Sequence, residues 1–197
     1  MKKGNVILLS ILGVVLFLGL SFAGGYNELV RLEERVSAAW AQVENVYQRR
    51  LDLIPNLVET VKGYAGHENE TLLAVTEARA KATSTTVNAS TLTDPDQFAK
   101  FQQSQAALSG ALGRLLVVAE QYPDLKANQN FLELQAQLEG TENRIAVERG
   151  RFNEAAQGFN TKIRQFPANL LAGLFGFKSK QYFQADAAAQ TVPKVQF

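Results

Sequence analysis

Residues 131–166 read FLELQAQLEGTENRIAVERGRFNEAAQGFNTKIRQF, and one regularity in them decides the fold class. Phe131, Leu138, Ile145, Phe152, Phe159 and Phe166 recur every seven residues over five intervals. Such a repeat returns to nearly the same side of an α-helix after two turns, so the stretch predicts one long helix with a packed seam. Pro167 stops it. Working back, Pro123-Asp124 is expected to end one helix and start this one. Phe98, Phe101, Leu108, Leu112, Leu115, Ala119 and Tyr122 form a second seam, interrupted only by Gln105. Its start is marked by Asp94 as cap, Pro95 as first helical residue and Asp96 on the positive end of the dipole. Residues 83–93 are small, hydroxylated and β-branched, and read as a loop. A shorter helical run over 67–82 carries Leu72, Val75 and Ala78.

From Tyr26 to Tyr64 a further seam runs through Val36, Trp40, Val43, Tyr47, Ile54, Leu57, Val61 and Tyr64. Pro55 lies inside it, removes a backbone donor and crowds the carbonyl of Leu51, which predicts a kink or local break near residues 51–55. Gly63 and Gly66 make a better stop. The expected fold is all-α, an antiparallel up-and-down bundle of four helices. A rod of three longer helices, the first continuous through residue 82, is the alternative.

Composition narrows the function. The 197 residues carry 20 Lys plus Arg against 19 Asp plus Glu, which gives no basic surface for nucleic acid. With no cysteine there is no disulfide framework, thiolate metal site or cysteine nucleophile, and a single histidine leaves little for general-base chemistry. No phosphate loop, Ser-His-Asp set or metal-ligand spacing stands out, so no catalytic, cofactor-binding or metal residue is assigned. His67 with Glu68 and Glu70 reads as the acidic first turn of a helix rather than a metal site. Arg149, Gly150 and Arg151, flanked by Glu148 and Glu154, read as a solvated face.

The amino-terminal end differs from the rest. Residues 6–25 (VILLSILGVVLFLGLSFAGG) contain no charge, and as a helix they span about 30 Å, the thickness of the hydrocarbon core. Lys2 and Lys3 precede them and are expected to hold the amino end in the cytoplasm, with everything after residue 25 outside it. A cleaved signal peptide ending at Ser21-Phe22-Ala23 is the alternative. The expected organisation is an anchor over 1–25, a bundle over 26–166 and a tail over 167–197.

Several long blocks point further. Ala39-Trp40-Ala41-Gln42-Val43-Glu44 leads into Tyr47-Gln48-Arg49-Arg50-Leu51-Asp52-Leu53-Ile54-Pro55-Asn56-Leu57-Val58, then Val61-Lys62-Gly63-Tyr64-Ala65. Tyr122-Pro123-Asp124-Leu125-Lys126-Ala127-Asn128 and Glu139-Gly140-Thr141-Glu142-Asn143-Arg144-Ile145-Ala146 follow, and the tail carries Phe166-Pro167-Ala168-Asn169 and Phe175-Gly176-Phe177. Together these resemble the LemA family over essentially the whole chain. The resemblance implies a bacterial membrane protein with an amino-terminal anchor and a helical-bundle ectodomain. It implies no reaction.

Two features remain as candidate sites. Arg50 takes a seam position where an apolar side chain belongs, and a buried guanidinium needs carboxylate and carbonyl partners. With the first and last helices antiparallel, Glu142 falls opposite it, which predicts a polar layer of Arg50, Glu142 and Asn143. That layer serves either helix register or a partner or ligand site exposed where Pro55 opens the backbone; a solvated arginine on a bundle edge is the remaining alternative. In the tail, Leu170, Leu171, Leu174, Phe175 and Phe177, with Lys178 and Lys180 trailing, suit either the membrane interface or packing across the base of the bundle. Residues 184–197 are expected to be loosely held.

The reading that follows is a non-enzymatic scaffold or adaptor on the outer side of the bacterial cytoplasmic membrane. It contacts lipid through residues 6–25, needs no cofactor, binds no nucleic acid, and engages other membrane or envelope proteins. A sensor-like ligand-binding module using the polar layer, or a membrane-remodelling protein, are the alternatives. Nothing in the sequence sets an oligomeric state.

Overall fold

A computed structural model describes residues 3–85 and 91–184, with backbone only for 3–10, 14–15 and 17–18. The described chain is all-helical. It comprises α1 (Lys3–Lys62), α2 (Asn69–Ser84), a 3₁₀ turn (Thr91–Thr93), α3 (Pro95–Ala119), a short α4 (Pro123–Lys126), α5 (Gln129–Lys162) and α6 (Ala168–Phe175). The four long helices alternate in direction. Gly25 of α1 lies against Leu171, beyond the end of α5, and Tyr64, just past α1, against Asn128, just before α5, so α5 runs antiparallel to α1. Arg79 of α2 reaches back to Leu51, and α3 passes Tyr47 at Phe101 and Arg50 at Ser109 on its way up.

The seams explain this packing. Val36, Trp40, Val43, Tyr47, Ile54, Leu57 and Val61 of α1 are buried, as are Phe131, Leu138, Ile145, Phe152 and Phe159 of α5 and Phe98, Phe101, Leu108, Leu112 and Leu115 of α3. Asp94 caps α3: its Oδ1 accepts from the backbone N–H groups of Asp96 (3.0 Å) and Gln97 (3.1 Å). The Gln97 N–H above all, with that of Asp96, holds the Asp94 carboxyl below the usual carboxylate range.

Pro55 does not break α1, which runs uninterrupted to Lys62. The missing donor is replaced from outside the helix, because Arg79 Nε donates to the Leu51 carbonyl at 2.9 Å. The reversal falls at residues 63–68, where the backbone N–H groups of Tyr64 and Ala65 both close on the Val61 carbonyl. This leaves Tyr64 exposed instead of in the seam. The long last helix does not start at Pro123. That signal builds only the single turn α4, and Asn128 then caps α5 by accepting from the Phe131 N–H at 3.0 Å. Phe166 lies beyond the end of α5 and is 80% exposed, so the seam closes at Phe159.

The core is divided. A distal, mostly aliphatic compartment gathers Leu51, Ile54, Leu57, Val61, Leu108, Leu115 and Leu138. A proximal compartment is aromatic, with Trp40, Tyr47, Phe98, Phe101, Phe152 and Phe159. At the base, α6 lays Ala168, Leu171 and Ala172 on Leu29. Gly25 leaves room for the Leu171 side chain: a Cβ there would stand 2.8 Å from Leu171 Cδ1, which would have to move aside. Gly176 ends α6 in the left-handed region (φ 74°), a conformation that favours glycine.

Within the uncharged stretch 6–25, the side chains of residues 6–10, 14–15 and 17–18 are outside those described. Among the described residues no helix is long and apolar enough to cross a membrane. The described side chains of that stretch, among them Ile11, Leu12, Leu16, Leu20 and Phe22, are exposed.

Candidate functional site

Two breaks in the apolar seams meet at the boundary between the core compartments. Arg50 interrupts the seam of α1 and Gln105 that of α3. The Arg50 side chain is 1% exposed. Its Nη1 donates to Ser109 Oγ at 2.8 Å and to Glu142 Oε1 at 2.6 Å, and its Nη2 donates to Gln105 Oε1. The guanidinium also lies 5.1 Å from the centroid of the Tyr47 ring. Its buried Nε has no hydrogen-bond partner among the described residues. Desolvating a guanidinium costs several kcal/mol, which only good partners offset. Glu142 is 42% exposed, so one side of the ion pair stays open to water.

The structure thus brings Arg50 and Glu142 together and leaves Asn143 out. Asn143 is exposed, because one helical step rotates it about 100° from Glu142 and away from the seam of Leu138 and Ile145. Gln105 and Ser109 fill the role given to it. Glu148, further along α5, pairs with Arg151 at 2.8 Å.

Above this layer α3 and α5 stand apart. A cleft of about 390 Å³ opens between them, with Tyr47 and Arg50 as floor, Gln102 and Gln105 on one wall and Glu142 and Arg149 on the other. A second hollow of about 360 Å³ adjoins it distally and shares Ser109 and Glu142. Its surface is mainly apolar, from Leu112, Leu116 and Leu138, with Gln135 and Glu139 also lining it. Small residues keep the wall of α3 low: a Cβ on Gly113 would meet nothing within 4 Å.

The proximal end of the cleft is closed by an element the sequence did not reveal. Residues 178–184 do not stay at the base but run back up the bundle as an extended strap. The Asn160 side chain accepts from the Lys180 N–H and donates to the Lys180 carbonyl, both at 2.8 Å. Asn153 does the same for Phe183, at 2.9 and 3.0 Å. The match is geometric: seven residues of helix and three of extended chain both cover about 10 Å. Phe183 is buried among Trp40, Phe98, Phe101 and Phe152, with its ring stacked 6.0 Å from that of Trp40. Lys180, also buried, pairs with Glu33 at 2.7 Å. Gln184 then bridges the helices, its N–H donating to Gln102 Oε1 (3.2 Å) and its carbonyl accepting from Arg149 Nη2 (3.0 Å). Of the segment expected to be loosely held, 184–197, Gln184 is therefore tied down, and residues 185–197 lie outside the described residues.

The tail residues named for the membrane interface divide. Leu171 is buried at the base and Phe177 partly so, while Leu170, Leu174 and Phe175 are exposed beside Phe166. At the distal turn, Tyr122 Oη donates to Glu68 Oε1 at 3.0 Å, which raises the phenol pKa above its ordinary value. Among the described residues no three His, Asp or Glu side chains cluster to hold a metal ion.

Comparison with known proteins gives the lineage. The sequence profile described as the LemA family matches residues 39–197. Magnetosome protein MamQ 2 of Paramagnetospirillum magneticum is 28% identical over 202 aligned residues, covering 94% of this chain and 74% of the relative. Protein LemA of Metamycoplasma hominis is 28% identical over 164 residues, covering 83% and 71%. Magnetosome protein MamQ of Magnetospirillum gryphiswaldense is 27% identical over 210, covering 97% and 77%. The matched segment takes in the polar layer, both clefts and the strap, and the chain belongs to the LemA family.

Proposed function

We propose that this protein is a single-pass, membrane-tethered helical bundle that works outside the cytoplasm as a non-enzymatic scaffold or adaptor, engaging other membrane or envelope proteins. The observation that carries the reading is the continuity of α1. One helix joins the uncharged residues 6–25 to the bundle, and its described side chains over that stretch meet no packed neighbours that bury them. Apolar side chains on an isolated helix of that length call for lipid.

The base supports it. Tyr26 stands where the uncharged run ends, with its ring 4.7 Å from Phe175 and 5.9 Å from Phe177, an aromatic grouping suited to the headgroup region. Phe166, Leu170 and Leu174 project at the same end, where α6 would lie along the bilayer surface. Lys2 and Lys3 favour a cytoplasmic amino end.

The chain has no cysteine, so single replacements report topology cleanly. In intact spheroplasts a membrane-impermeant maleimide should label Glu77→Cys fully and Asn5→Cys only after permeabilisation, with both chains retained through a carbonate wash. Release of the intact chain by carbonate, or a shielded Glu77→Cys, overturns the reading. Proximity labelling from the bundle tests the adaptor role: enrichment of envelope proteins supports it, and a profile equal to that of a tethered inert helix refutes it.

A further inference from the structure

We infer that the paired hollows between α3 and α5 form a binding site for an amphiphilic monocarboxylate, its head over Arg50 and its aliphatic chain running distally. This goes beyond the scaffold reading and does not depend on it. The two hollows are contiguous through Ser109 and Glu142 but opposite in character. The proximal one is polar and carries two guanidinium groups, Arg50 and Arg149, against one carboxylate, Glu142, so it favours a single negative charge. The distal one presents Leu112, Leu116 and Leu138. A ligand filling both needs an anionic end and an apolar end. From Ser109 to Leu116 the helix rises about 10 Å, room for a medium-length chain and too little for a long one.

The polar end is unfinished. Arg50 is buried, yet its Nε lacks an acceptor among the described residues. Arg149 commits Nη2 to the Gln184 carbonyl and carries further N–H donors on the same planar group. Glu142, 42% exposed, can swing to water and yield its place on Arg50 Nη1 to an incoming carboxylate. Binding there also touches Gln102 and Arg149, the two side chains that hold Gln184, so occupancy bears on the end of the strap.

The test uses the full chain in phosphatidylcholine nanodiscs and a photoactivatable diazirine derivative of octanoate, with adducts mapped by mass spectrometry. Adducts are expected on the Leu112–Leu116 and Gln135–Leu138 peptides. Excess octanoate should compete them and octylammonium should not. Arg149→Glu is expected to cut this labelling at least tenfold. Gly113→Leu, which fills the distal hollow from an exposed position with open space for its Cβ, should do the same while Trp40 emission stays unchanged. Adducts confined to residues 6–25 and α6, equal competition by octylammonium, or undiminished labelling of Gly113→Leu would overturn the inference. None of these outcomes bears on carbonate retention or maleimide topology, so the two readings fail separately.

Discussion

Replacing Arg50 by Met and Gln105 by Leu, singly and together, tests the account of the polar layer most directly. Arg50→Met keeps most of the aliphatic stem but removes every donor, along with the guanidinium over Tyr47. Gln105, a buried residue whose Oε1 accepts from Arg50, is left with a desolvated acceptor, at a cost of about 1–3 kcal/mol. Glu142 adds little, since it is 42% exposed and water replaces its partner. Gln105→Leu alone strands a second N–H of a guanidinium whose Nε already lacks a partner, at a similar cost of about 1–3 kcal/mol. The double variant removes both polar groups, joins the two core compartments through apolar side chains, and should return to within about 1 kcal/mol of the parent or exceed it. The coupling energy is then about 2 kcal/mol or more. Trp40 is the chain's sole tryptophan and sits in the bundle, so urea unfolding followed by its emission reports the bundle alone. If the double variant loses the sum of the two single losses, Arg50 and Gln105 are not partners and the layer is misdescribed.

Further outcomes follow from the strap, the proline and the cap. Asn160→Ala strips the Lys180 backbone of both its partners, so the Lys180 and Phe183 amides should exchange with deuterium at least tenfold faster while those of α2 hold; unchanged exchange would show that the strap is held otherwise. Arg79→Ala orphans the Leu51 carbonyl and should cost about 1–3 kcal/mol, and adding Pro55→Ala, which restores the helical N–H to that carbonyl, should recover most of it in the same urea assay. Asp94 has a lowered folded pKa, so the stability it supplies is full above its unfolded value near about 4 and is lost as pH falls through the folded value. Asp94→Asn should therefore flatten the acid limb of unfolding below about pH 4, and an unaltered limb would remove the cap from the account.

The bundle was legible because its seams are long and single-minded. Seven-residue spacing placed α1, α3 and α5, and both interruptions, Arg50 and Gln105, were visible as breaks. That they meet was only half visible. Antiparallel register pointed Arg50 at Glu142, but nothing in the order of residues says which position of α3 faces α1. Periodicity also overshot: Phe166 keeps the phase of the heptad after the helix that gives the phase meaning has ended. The strap was illegible for a different reason. Its residues follow no helical or alternating pattern, and the groups that hold it, Asn153 and Asn160, look like ordinary surface asparagines; their seven-residue spacing on one helix was the available signal. The cleft left no trace because it is a gap between chains of contacts, marked only by small residues such as Ala106, Gly110 and Gly113.

The unbroken passage of α1 from Lys3 to Lys62 has a mechanical consequence. Sixty residues of helix make a shaft of about 90 Å with no swivel in it, since Arg79 splints the one place where a joint could have formed. With residues 6–25 in a bilayer, a turn or tilt imposed there by crowding, thickness or curvature is delivered as torque to the far tip at Tyr64. A flexible neck would insulate the bundle from the lipid sheet. This design makes its posture answer to it.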